Sequence, residues 1–339
     1  RMARQSPARL ALTVFAAVIA VFTGLLSTPF ATTSGVRAPF VDALFTATSA
    51  VCVTGLVTVP TGTYWSPFGL AVILVAIKVG GLGVMTLASL LGMAVSRRIG
   101  LTQKLLTASE TKTTRLGEVG SLIRVVIITS TTIEVALALL LVPRFIVLRE
   151  TVGEAVWHGI FYAVSVFNNA GFIPTEDGLA PYAGDWLLLL PIIVGAFIGA
   201  LGFPVILNVA RNRRQFRRWS LHAKLTVVTS GLLVVAGSLM FVLLEWTNPG
   251  TFGRMPVGEK LLSGLFMGVM PRSAGFSTVD IGQMHEASWL ITDSLMFVGG
   301  GSASTAGGIK VTTLAVMMIA IVAEARGDRD VEAFGRRIP

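Results

Sequence analysis

The chain has 339 residues, of which 53% are hydrophobic and only 13% charged, and its mean hydropathy is +0.76. A soluble globular domain carries about 25% charged residues, so most of this surface is built to face lipid. The formal net charge of +9 does not signal nucleic acid, because the basic residues fall in short blocks between apolar stretches and not on one face of a soluble domain.

A spanning helix needs about 20 mostly apolar residues. In chain order six stretches qualify: Leu10 to Thr28, Pro67 to Val95, Val119 to Leu148, Trp186 to Ala210, Leu221 to Trp246 and Trp289 to Ala323. The second and last exceed one span, which predicts tilting, breakage or protrusion into water. No small-residue cleavage site follows the first stretch, so it reads as a retained helix. Three further apolar stretches are too short to cross: Phe40 to Val51, Val156 to Phe167 and Lys260 to Met270. Segments of that length are re-entrant or interfacial.

Basic residues in short loops set orientation. One side collects 18 of the 27 Lys and Arg: Arg1, Arg4 and Arg9; Arg97, Arg98, Lys104, Lys112 and Arg115; Arg211, Arg213, Arg214, Arg217, Arg218 and Lys224; Arg326, Arg329, Arg336 and Arg337. The other side has Arg37, Arg144, Arg149, Arg254 and Lys260 among the acidic Asp42, Glu150, Glu154, Glu176, Asp177 and Asp185. The first side, with the N-terminus, is expected to be cytoplasmic. The block Arg211 to Arg218 either fixes topology or meets anionic lipid heads.

Each short apolar stretch is followed by a small or polar run, a glycine and a bulky residue. The runs are Cys52-Val53-Thr54-Gly55-Leu56, Asn168-Asn169-Ala170-Gly171-Phe172 and Arg272-Ser273-Ala274-Gly275-Phe276. The glycines at 55, 171 and 275 lie 116 and 104 residues apart, the period of a whole supersecondary unit. Non-helical backbone at membrane depth is tolerated where it is buried in protein or lines water. Carbonyls of such loops can replace the hydration shell of an ion. The expected fold is an all-α membrane protein of parallel repeats, helix, pore helix, filter loop, helix, around a central pore. The repeats are 1–115, 116–218 and 219–339, the last with a broken second helix and a cytosolic tail.

The candidate ion-binding residues are therefore Cys52, Val53, Thr54 and Gly55; Asn168, Asn169, Ala170 and Gly171; and Arg272, Ser273, Ala274 and Gly275. A cation in the ion path repels the permeant ion, so Arg272 is expected behind the filter, bracing it through carbonyls or Asp280. Asn168 and Asn169 are likewise expected to brace their loop.

The last apolar stretch is interrupted by Phe297-Val298-Gly299-Gly300-Gly301-Ser302-Ala303-Ser304-Thr305-Ala306-Gly307-Gly308-Ile309-Lys310. Glycine costs a helix about 1 kcal/mol relative to alanine, so this run predicts a break and an intramembrane loop below the third filter loop. Lys310 and Lys78 are charges near membrane depth. Lys310 is expected to snorkel to the cytosolic surface, and Glu134 is a candidate partner for the deeper Lys78.

These runs, with Gly80-Gly81-Leu82-Gly83 and the segment from Phe297 to Lys310, resemble the Trk/Ktr/HKT superfamily of potassium transporters, the KtrB/TrkH type most closely. The resemblance implies four repeats around one pore, with K+ as substrate at the filter carbonyls, Na+ as a candidate activator and no covalent cofactor. It makes the 299–310 segment a gate and a homodimer the assembly, in the cytoplasmic membrane with lipid around it. It also implies a cytosolic ring of nucleotide-binding regulatory subunits of the KtrA/TrkA type. No nucleotide motif occurs in this chain. In the plant members serine at the first filter glycine goes with sodium; Gly55 goes with potassium. Glutamine is the residue that the family pattern leads one to expect at Lys78. A fourth filter glycine is expected near position ~380, beyond Pro339, so the native protein is expected to be longer.

Two other classes are weighed. An inverted-repeat, sodium-coupled carrier needs repeats of opposite topology, whereas all three loops here share one side. An enzyme needs a nucleophile with a base, or a metal set. No such constellation falls in the spans, and the three histidines (His158, His222, His285) and one cysteine form no cluster.

Overall fold

A computed structural model describes residues 7–99, 115–148, 150–327 and 330–337. Arg1, Arg4, Lys104, Lys112, Arg149 and Arg329, which carry part of the orientation argument, lie outside the described residues.

The first unit comprises α1 (Pro7–Leu26), α2 (Phe40–Val51), the one-turn α3 (Thr61–Tyr64) and α4 (Pro67–Ile99). The second comprises α5 (Arg115–Val147), α6 (Val152–Phe167), α7 (Trp186–Leu201) and α8 (Phe203–Arg211). The third comprises α9 (Leu221–Glu245), α10 (Val257–Val269), α11 (Glu286–Phe297) and α12 (Val311–Arg326). A hairpin of β1 (Glu332–Ala333) and β2 (Arg336–Arg337) follows, with Arg337 paired to Asp330 at 2.7 Å.

Local chemistry sets where these helices begin. Asp185 and Ser220 cap α7 and α9 by accepting from Leu188 N and Ala223 N at 3.0 and 3.1 Å. Such caps satisfy amides that an α-helix leaves open at its start. Thr151 and Glu154 form a reciprocal capping box on α6. The other short helices, α2 and α10, start after Pro39 and Pro256 with no side-chain cap.

Packing repeats from unit to unit. The first long helix of each unit holds the short one: α1 packs on α2 and α4, α5 on α6 and α7, and α9 on α10, α11 and α12. The handover between units recurs as well. Helix α4 meets α5 and α6, and α7 meets α9 and α10, the pattern of units rotated about a common axis. One apolar cluster spans the second and third units through Tyr162, Phe167, Ile192, Phe266 and Phe276. Another joins the first unit to the second through Leu26, Trp65, Ile73, Phe161 and Phe172.

Among the described residues three helical segments are long and apolar enough to cross a membrane: Pro67–Ala88, Ile123–Val147 and Leu221–Glu245. The stretch Trp186 to Ala210, expected as a single span, is corrected by the structure: it bends by 104° between α7 and α8. Gly202 sits at the bend with φ +90° and ψ 144°. Pro204 is the cause, since it removes a helical donor and clashes with the preceding turn, while fitting the first turn of a new helix. The last stretch breaks between α11 and α12 as the glycine run predicts.

Candidate functional site

The three loops that follow α2, α6 and α10 share one hydrogen-bond register. In each, the residue two before the glycine donates its amide to the carbonyl five before it: Val53 to Ala50, Asn169 to Val166 and Ser273 to Met270, at 3.2, 3.0 and 3.3 Å. The first two loops match further. Thr54 and Ala170 both donate to a carbonyl five residues back, each at 2.8 Å, and Val53 and Asn169 both take φ +55°. The third differs because Met270-Pro271-Arg272 forms a 3-10 turn and Ser273 is extended at φ 165°. Proline 271 has no amide to continue the α-helix.

The glycines converge. Gly55, Gly171 and Gly275 all have positive φ, at +82°, +70° and +74°. A Cβ on Gly55 would lie 2.5 Å from the Ala170 carbonyl oxygen, and one on Gly171 3.4 and 3.7 Å from the Cα atoms of Gly55 and Gly275. Three loops from three units thus meet backbone to backbone, where any side chain would fill the shared space. The residue after each glycine differs in fate: Phe172 and Phe276 are buried, whereas Leu56 is 62% exposed.

Side chains within the runs turn away and brace. Arg272, 4% exposed, donates to the carbonyl and hydroxyl oxygens of Ser230 at 3.3 and 3.2 Å and to the Gly299 carbonyl at 3.1 Å. Its partners are carbonyls and a hydroxyl, while Asp280 binds Gly282 N and Gln283 Nε2 instead. Asn168 donates to Glu134 Oε1 and to the Val164 carbonyl at 2.9 and 2.8 Å. Glu134 in turn pairs with Lys78. With its amide oriented to satisfy both ends, Asn169 accepts from Thr305 Oγ1 and Ala200 N and donates to the Ala196 carbonyl, at 3.1, 3.2 and 3.3 Å.

The 298–310 segment is a bonded loop, largely buried from 299 to 306 and exposed at Gly307 and Gly308. Its ends pair in parallel at Val298 and Ile309, and its middle docks on the α7–α8 bend. Gly301 donates to the Ala200 carbonyl at 2.7 Å, and Phe203 N to the Ala303 carbonyl at 3.3 Å. Gly307 N donates to Ser273 Oγ at 3.3 Å, so the loop touches the third filter run at residues 299 and 307 and the second at Thr305. Ser304 and Ala306 are buried, Ser302 is half-buried, and Gly308 takes φ +73°. Lys310, half-buried, donates its ammonium to the Ala306 carbonyl at 2.6 Å. A tight loop leaves carbonyls without helical partners, and a lysine at its exit satisfies one.

Sequence reasoning missed the bend at Gly202 as a seat for this loop. Its signal was present as Gly202-Phe203-Pro204, inside a stretch read only for length. Cys52 caps the C-terminus of α2 and is exposed. At the other face, Arg211, Asn212, Arg213, Arg214, Gln215 and Arg218 line an open concavity of about 390 Å³. Among the described residues no group of three or more His, Cys, Asp or Glu side chains gathers to hold a metal ion.

Comparison with known proteins adds to this geometry. The TrkH family, described as cation transport protein, matches residues 8–338. Ktr system potassium uptake protein B of Bacillus subtilis is 40% identical over 314 residues, 93% of this chain and 70% of that protein. Potassium/sodium uptake protein NtpJ of Enterococcus hirae is 34% identical, over 99% of this chain and 74% of that protein. Among solved structures, the potassium transporter TrkH of Vibrio parahaemolyticus superposes with a TM-score of 0.70 at 18% identity. That match covers 96% of this chain and 66% of that one, and it establishes the shared fold.

Proposed function

The chain belongs to the TrkH family of cation transport proteins, and from that membership we propose that it carries potassium into the cell through a filter-lined pore. The observation that supports this best is the convergence of Gly55, Gly171 and Gly275 on one shared space. Loops held in one register present carbonyls to that space, and carbonyls are the ligands that replace potassium's water. The proteins named potassium uptake protein B and potassium/sodium uptake protein are its relatives; the second name is the reason to include sodium in any assay, as substrate or activator.

In this reading the ion-binding residues are the backbones of 52–55, 168–171 and 272–275, and the repeats divide as 1–115, 116–218 and 219–339. The 299–310 segment is the gate. It lies against two filter runs and the α7–α8 bend, so moving it off its seat opens a way past the filter. The N-terminus and the arginine-lined concavity face the cytosol, where a nucleotide-binding regulatory ring of the kind that family members use has basic loops to meet. A homodimer is the expected assembly.

The test is ion flux into liposomes carrying the purified protein, with K+, Na+ or neither. Potassium-dependent flux that exceeds sodium flux supports the reading. Equal flux for both ions would remove the selectivity, and none for either would remove the transport function.

A further inference from the structure

One buried charged cluster lies outside the filter and the gate. Lys78 on α4 and Glu134 on α5 form an ion pair, and Glu134 is 6% exposed. Lys78 also donates to Ser130 Oγ and Thr131 Oγ1 at 3.1 and 3.3 Å, so its ammonium is spent on α5. One carboxylate oxygen of Glu134 takes the lysine, and the other takes Asn168 Nδ2 at 2.9 Å. Asn168 is the residue at which α6 ends and the second filter loop begins. Its remaining oxygen faces the backbone of Gly81 on α4, where a Cβ would collide with it. The side chain is therefore held by Glu134 on α5 and by its own helix at Val164, while its oxygen packs against Gly81 without a hydrogen-bond partner.

A buried carboxylate is costly without compensation. Lys78 supplies the charge that makes Glu134 tolerable, and Glu134 supplies a strong acceptor for Asn168. The next residue, Asn169, takes φ +55°, the left-handed region in which asparagine is enriched among non-glycine residues.

We propose that the Lys78–Glu134 pair is a positioning device that sets ion selectivity: it fixes Asn168 and through it the carbonyls of the second filter loop. The proposal rests on the potassium-pore reading. Glu134 touches no ion; it acts through Asn168. The first and third runs are built differently at this position, with Cys52 exposed and Arg272 tied to Ser230 and Gly299, so the device belongs to the second loop alone.

The test compares Glu134→Leu, Glu134→Gln and Asn168→Ala in liposomes, reading the K+/Na+ flux ratio and the K+ KM against the maximal rate. Glu134→Leu is expected to lower the ratio about fivefold or more, as loss of one buried hydrogen-bond partner implies. Glu134→Gln keeps an acceptor for Asn168 and is expected to recover most of the ratio. Asn168→Ala removes the same bond without stranding a charge. It is expected to match Glu134→Leu, and the double variant to add little to either. A ratio equal to that of the parent protein in both Glu134→Leu and Asn168→Ala overturns the proposal, as does a Gln variant no better than Leu. Amide hydrogen exchange reads the tether without transport: amides 169–172 should exchange faster in Glu134→Leu, with 53–56 unchanged. Equal exchange at 169–172 overturns the tether. Absence of flux in the parent protein instead sinks the potassium reading and leaves the exchange result to stand.

Discussion

Two glycine-rich segments occupy equivalent places in the first and third units, yet only one is helical. In α4 the run Gly80-Gly81-Leu82-Gly83 sits inside an unbroken helix of 33 residues. In the third unit, 298–310 leaves the helix entirely. Glycine content alone does not separate them. The α4 glycines are flanked by large apolar side chains, Val79 and Val84, and their bare faces admit neighbours: a Cβ on Gly80 would strike the Val51 carbonyl, and one on Gly81 the Asn168 side chain. In 299–308 no large apolar residue is present, so a helix there would gain little burial to offset the entropy of ordering glycine. The loop instead finds partners for its backbone on α7, at Ala200, and within itself at Ile309 and Phe297. A glycine run stays helical when side chains around it pack, and unwinds when a second broken helix offers hydrogen bonds.

That comparison can be broken most severely at α4. Gly80→Val forces a side chain into the end of the first pore helix, at a cost of about 3 kcal/mol. Lost transport and a much lower thermal midpoint are expected, and a variant with normal flux would refute close approach as the reason for glycine there. Removing residues 300–306 tests the loop: cation flux should rise about tenfold or more, since the deletion takes away the segment lying against two of the runs, and unchanged flux counts against a gate. Next comes Gly202→Val, which places a β-branched residue at φ +90° and against Ser302. It should destabilise by about 2 kcal/mol and loosen the loop, read as a raised leak with a lower midpoint. Arg272→Lys replaces a fork bonded to Ser230 and Gly299 by a single ammonium. About 1 kcal/mol is the expected loss, seen as a few-fold change in flux, and an unaltered protein would show that the clamp is dispensable.

The smallest effect concerns the pore helices themselves, of which only α6 carries a capping box. Hydrogen bonds from Thr151 hold the exposed Glu154 carboxyl below its usual range. A lowered folded value means that the cap is intact above the ordinary carboxylate range and is lost as pH falls through the lowered value. Acidification should therefore raise amide exchange in the first turn of α6 before that of α2 or α10, and Glu154→Gln should flatten the difference.

Much of the fold was legible because lipid allows few solutions. The bounds of the short helix Phe40 to Val51 are those of the apolar stretch, and the three glycines that recur after the short helices are the ones whose backbones meet. The bend at Gly202 was overlooked, although Pro204 marks it, because hydrophobic length dominates a reading by spans and proline in a membrane helix is tolerated when neighbours satisfy the freed groups. The hydrogen-bond partner of Lys310 was hidden for a related reason. A long stem reaches either water or a carbonyl four residues back, and only the loop's path decides which.

The order of apolar and charged residues by itself determined the membrane class and the repeated unit, because those follow from transfer free energies that each segment carries alone. Tertiary structure decided the rest: that Arg272 reaches Gly299, that Asn168 rests on Glu134 and Lys78, and that the unwound segment is seated on the α7–α8 bend. Those bonds join residues 27 to 101 positions apart. Their partners become neighbours only once the helices are packed, and no local preference announces them.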